Sequence, residues 1–152
     1  MNTSSVAGDT IEARLRFLGA SDIQKVQGLL YFVSFKDGDT EVSYSYNINT
    51  KNKFFLQRIK PYPIPEGIFS NEEQVVEFIK RDLKKFRNAE HSHNFPQFVE
   101  VTNMVNEISK EIETFFLNYN VDKECLEALS QELRAIHKII ADAKNRSTHI
   151  IL

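Results

Sequence analysis

The sequence predicts an α+β fold: an antiparallel sheet of about four strands in the N-terminal half, packed against three C-terminal helices. Three observations carry this reading. Up to about residue 60 the chain alternates apolar and polar residues with the period of a strand, and all five glycines fall at or before Gly67. Beyond residue 70, apolar residues recur in steps of three and four, the period of a helix. Between them, Lys60-Pro61-Tyr62-Pro63-Ile64-Pro65-Glu66-Gly67 holds three of the four prolines at every second position. Proline fixes φ and donates no backbone hydrogen bond, so residues 61–67 read as a stiff polyproline-like crossover from the sheet's edge onto its apolar face.

A chain of 152 residues reads as a single domain spanning residues 1–152. Its first nine residues are small and polar and are expected to be disordered. From Thr10, Ile11, Ala13, Leu15 and Phe17 alternate with Glu12, Arg14 and Arg16, predicting a half-buried first strand of a meander over residues 10–60. Asp37-Gly38 between two alternating runs predicts a two-residue hairpin turn. That turn sets Val33 opposite Val42, Tyr31 opposite Tyr44 and Leu29 opposite Tyr46, all on one face. Leu30 and Phe32 lie on the other. A second turn near Asn49-Thr50-Lys51-Asn52 leaves the next strand's parity open. An even loop turns Phe55 and Ile59 toward the tyrosine face, and an odd loop turns Phe54 and Leu56 there.

The helical part is expected over residues 70–145. Ser70-Asn71-Glu72-Glu73 matches a capping box and opens a helix with Val76, Ile79, Leu83 and Phe86 along one stripe. After a loop, Pro96 suits the first turn of the next helix. Phe98, Val101, Val105, Ile108, Ile112, Phe115 and Tyr119 follow at helical spacing. Asp122 caps a third helix carrying Leu126, Leu129, Leu133, Ile136, Ile140 and Ala143. So short a connection predicts a long antiparallel helical hairpin. Met104 and Phe116 on one helix, with Cys125 and Ile139 on the other, widen its stripe beyond a coiled-coil seam. Residues 146–152 form a tail ending in three apolar residues.

Net charge is −2: 8 Lys/Arg stand against 7 Asp/Glu through Gly67, and 11 against 14 beyond it. This balance lacks the general basic excess of a nucleic-acid binder. One cysteine, Cys125, excludes an intramolecular disulfide and a multi-cysteine zinc site. There is no secretory signal and no run long enough to span a membrane, so a cytoplasmic protein without membrane partners is expected. No nucleotide-binding, hydrolase, metalloprotease or C-x-x-C motif occurs, which argues against an enzyme and implies no cofactor.

Four weaker constellations remain. His91 and His93 in Glu90-His91-Ser92-His93 could face one metal, but no third ligand is evident nearby, and solvated loop histidines are the commoner case. Lys80, Arg81, Lys84, Lys85 and Arg87 form a basic helix face suited to phosphates, so a nucleic-acid or anionic-ligand module is an alternative. Tyr31, Tyr44 and Tyr46 could line a small-molecule or substrate pocket between sheet and helices, a second alternative. The widened stripe, with Met104, Phe116 and Ile139, points to a protein partner. The favoured expectation is therefore an interaction or adaptor domain that self-associates, as a homodimer, through the helical hairpin.

Overall fold

The computed structural model describes residues 3–25, 28–49, 51 and 53–150. Its elements run α1 (Thr3–Phe17), β1 (Gly28–Asp37), β2 (Thr40–Asn49), β3 (Phe54–Lys60), β4 (Ile64–Phe69), α2 (Glu72–Glu90), α3 (Phe95–Asn118) and α4 (Lys123–Arg146). The four strands form one antiparallel sheet in the order β1-β2-β3-β4. The α+β class, the four-stranded sheet and the three following helices are as the sequence predicts.

Two assignments within that class are corrected. Residues 10–17 form no strand; with residues 3–9, expected to be disordered, they make α1. Ala, Leu, Glu and Arg favour a helix, and Glu12 pairs with Arg16 one turn on at 2.9 Å. Gly19, at φ +92°, ends the helix. Its N–H donates to Arg16 O, and that of Ala20 donates to Leu15 O, the paired bonds of a Schellman stop. A period-two pattern carried by four apolar residues was too short to decide against these signals.

The second correction concerns the proline segment. Only its start is a corner, with Lys60–Pro61 cis; residues 64–69 turn back as β4 along β3. Pro65 is tolerated because β4 is an edge strand, where a missing donor faces outward. A bulge opposite Leu56 and Gln57 accommodates Glu66, with Gly67 at φ +112°.

The hairpin turn lies one residue later than predicted. Gly38, at φ +61°, and Asp39 occupy the turn, and Asp37 pairs with Thr40. Partners therefore shift by two, with Val33 opposite Tyr44 and Tyr31 opposite Tyr46. An even shift keeps every side chain on its predicted face. Asn49 N–H donates to Lys53 O across an odd loop, which turns Phe54 and Leu56 inward.

The core lies between this inward face and α2. Val42, Tyr44, Phe54, Leu56, Tyr62, Val75, Ile79 and Phe86 are buried. The cap of α2 is Asn71 rather than Ser70: its side chain accepts from Gln74 N–H, and the Gln74 side chain accepts from Ser70 N–H. The buried stripe of α2 is Val75, Ile79, Asp82 and Phe86, so Val76 faces out.

Candidate functional site

A buried ionic cluster joins α2 to the sheet within the apolar core. Alternation along β3 puts Arg58 on the inward face with Phe54 and Leu56, and helical spacing puts Asp82 between Ile79 and Phe86. The Arg58 guanidinium donates from Nε to Asp82 Oδ2 at 2.8 Å and from Nη2 to Oδ1 at 2.9 Å. Tyr44 Oη–H donates to the same Oδ2 at 2.7 Å. The guanidinium also lies over two rings, 5.4 Å from the centre of Tyr62 and 4.9 Å from that of Phe86. Such a planar fork fixes distance and angle together, so it orients α2 across the sheet.

Glu66, brought inward by the bulge, completes the cluster. Its Oε1 lies 2.6 Å from Arg58 Nη2 in an ion pair outside hydrogen-bonding geometry. Burial pushes the Glu66 carboxyl above its usual range; Arg58 opposes this and Asp82 adds to it. Burial also works against the Arg58 charge, but hydrogen bonds and charge from Asp82 outweigh it and raise its pKa. Burial, and then the bond to Asp82, pushes the Tyr44 phenol well up. A cation held by two carboxylates beneath a packed helix clamps α2 to the sheet.

Helix α2 packs against β2, β3 and β4, leaving Leu29 and Tyr31 of β1 exposed. Between β1 and α2 lies a cleft of about 340 Å³ lined by Val33, Phe35, Tyr46, Ile48, Val75 and Val76, among others. Of the three tyrosines predicted to line a pocket, one lines this cleft. Tyr46 lines the cleft, Tyr31 stacks on Tyr46 with ring centres 4.8 Å apart, and Tyr44 is fully buried behind them.

Many of the exposed large apolar side chains lie on α3 and α4. Phe95 and Phe98 root α3 against the core, with ring centres 6.4 Å from Phe86 and 5.7 Å from Tyr62 respectively. Beyond that root, no residue of α3 or α4 is buried among the described residues. Asp122 caps α4 as predicted, accepting from Cys125 N–H at 2.7 Å. Near the connecting turn Ile112, Leu126 and Leu129 are half-buried. Farther along α4 the cover fades, leaving Leu133, Ile136 and Ile140 nearly half exposed. Met104, Phe116 and Ile139 are exposed by 50%, 55% and 66%. At about 1.5 Å per residue each helix extends roughly 36 Å, with its apolar stripe uncovered over much of that length.

The remaining sequence candidates are scattered. Lys80, Arg81, Lys84, Lys85 and Arg87 all lie on the exposed side of α2, where Glu77 engages Lys80 at 3.6 Å and Arg81 at 3.0 Å. His91 caps the end of α2 and His93 lies in the turn after it, both exposed. No group of three or more metal-binding side chains occurs among the described residues. Nor is any helix among them long and apolar enough to cross a membrane. Comparison with protein-family models, with curated proteins and with solved structures finds no match to this chain.

Proposed function

We propose that the protein is a self-associating interaction or adaptor domain whose α3–α4 arm is the assembly surface. The observation that carries this is exposed surface. The chain exposes 12760 Å², against roughly 7,900 Å² for a compact monomer of its mass. The difference is several times the ~800 Å² that each partner contributes to a stable interface. Much of the apolar part lies on α3 and α4, where helical spacing aligns it into stripes rather than scattering it, and aligned stripes favour helix-to-helix packing. A partner with the same stripe satisfies this geometry, which makes a second copy of the chain the simplest occupant. The cytoplasm suits such a protein, whose lone cysteine gives it no internal disulfide to maintain.

The test is the mass in solution of the full chain and of a Met104→Glu, Phe116→Glu, Ile139→Glu variant. All three side chains are at least half exposed, so the substitutions leave the core intact. The full chain is expected at twice 17.6 kDa or a higher even multiple at tens of micromolar, and the variant at half that mass. An unchanged mass in the variant refutes the arm as the interface.

A further inference from the structure

The two edges of the sheet differ. Edge strand β4 carries Pro65, a bulge at Glu66 and Gly67 at φ +112°, devices that discourage another strand from pairing. The opposite edge, β1, has none of them: from Gly28 through Phe35 it carries neither proline nor charge, and its pairing with β2 runs without a register break. Among the described residues its neighbour in the sheet is β2 alone. Apolar side chains flank the open edge on both faces, with Leu29 60% and Tyr31 41% exposed toward the α2 side and Leu30 59% and Phe32 71% exposed on the outer side.

We infer that β1 pairs antiparallel with β1 of a second copy across a twofold axis, joining two sheets into one of eight strands. This interface is separate from the helical arm and does not depend on it. A twofold perpendicular to the sheet keeps like faces together, so only partners of the same parity stand opposite each other. The register centred on Phe32 sets Phe32 against its own copy, Leu30 against Ser34, Tyr31 against Val33 and Leu29 against Phe35. Every residue from Leu29 through Phe35 then meets an uncharged partner on its own face. Moving the centre to Val33 would set Leu30 against Lys36, and moving it to Tyr31 would shorten the paired length. The second copy is the occupant because the strand is self-complementary in this register. The exposed surface beyond that of a compact monomer also leaves room for an interface in addition to the arm.

Cross-linking tests the register. In a Cys125→Ser background, Phe32→Cys places two thiols opposite each other with Cα atoms about 5.5 Å apart, within disulfide reach. Ser34→Cys separates the equivalent thiols by four residues along the strands, roughly 13 Å. Mild oxidation with copper–phenanthroline is expected to convert Phe32→Cys to a covalent dimer and to leave Ser34→Cys monomeric on a denaturing gel. In parallel, Phe32→Lys is expected to halve the solution mass. Phe55→Lys, on the same outer face but away from the edge, is expected to leave it unchanged. Near-UV circular dichroism establishes that each variant is folded. No covalent Phe32→Cys dimer, equal cross-linking at both positions, an unchanged mass for Phe32→Lys, or a halved mass for Phe55→Lys overturns the inference. These outcomes are independent of the Met104, Phe116 and Ile139 variant, so either interface can fail without the other.

Discussion

Asp82→Asn removes the carboxylate that Arg58 grips through two hydrogen bonds and to which Tyr44 donates at 2.7 Å. Breaking a buried ion pair from one side costs roughly 3–5 kcal/mol, because the remaining charge stays buried without its partner. Here Glu66 remains 2.6 Å from the guanidinium and compensates part of that charge, which places the expected loss near the lower end, about 3 kcal/mol. In a chain of this length the melting midpoint should fall by roughly 6–12 °C. The assay is urea unfolding at neutral pH followed by tyrosine fluorescence. The chain has no tryptophan, and Tyr44 and Tyr62 report the core, whereas far-UV circular dichroism would be dominated by helices outside it. Arg58→Met in the Asp82→Asn background should cost at least about 1 kcal/mol less than in the native chain, as expected for residues acting as a unit. A loss below about 1 kcal/mol for Asp82→Asn, or strictly additive effects, would refute the clamp.

Glu66 and the glycines give further tests. Burial raises the Glu66 carboxyl above the ordinary value of 4.5, so its ionisation is harder in the folded state than in the unfolded state. Its ionisation therefore costs the folded state nothing below pH 4.5 and progressively more as pH rises through the raised folded value. Glu66→Gln should accordingly gain midpoint temperature relative to the native chain as pH rises from 4 to 8, and a difference independent of pH would contradict the assignment. Gly67→Ala meets no steric obstacle but must hold φ at +112°, so it should cost about 1–3 kcal/mol by urea unfolding. Gly8→Ala, in the exposed interior of α1 with open space around it, should instead favour that helix by about 0.5–1 kcal/mol, read as greater protection of α1 amides from hydrogen exchange.

How far the fold could be read in advance depended on how many independent signals each segment carried. The β1–β2 hairpin had turn chemistry and two clean faces, so its faces emerged correctly even though the turn moved by one residue. The last two helices had long runs at helical spacing, a proline at the start of one and an aspartate cap on the other. Residues 10–17 had alternation alone, which local helix preferences and the stop at Gly19 overrode. Proline spacing in residues 61–67 established that no central strand or helix could form there, but it did not exclude an edge strand.

The clamp was missed for a different reason. Arg58 and Asp82 are charged residues at apolar phases, one in the alternation of β3 and one in the Val75, Ile79, Phe86 spacing of α2. A charge at a core phase is costly unless it is paired, and two such misfits of opposite sign in neighbouring elements were the available signal. Glu66 gave no comparable sign, because the bulge that turns it inward depends on pairing between β3 and β4. Of the predicted pocket tyrosines, the sheet places Tyr44 under α2, Tyr46 in the cleft beside α2 and Tyr31 stacked on Tyr46.

The central claim is that the α3–α4 arm is covered by another copy of the chain. Light scattering of the full-length protein at tens of micromolar, alongside the Met104→Glu, Phe116→Glu, Ile139→Glu variant, tests it most directly. The native chain is expected at no less than twice 17.6 kDa and the variant at half the native mass, with both folded by near-UV circular dichroism. A native mass of 17.6 kDa with both helices intact would contradict it.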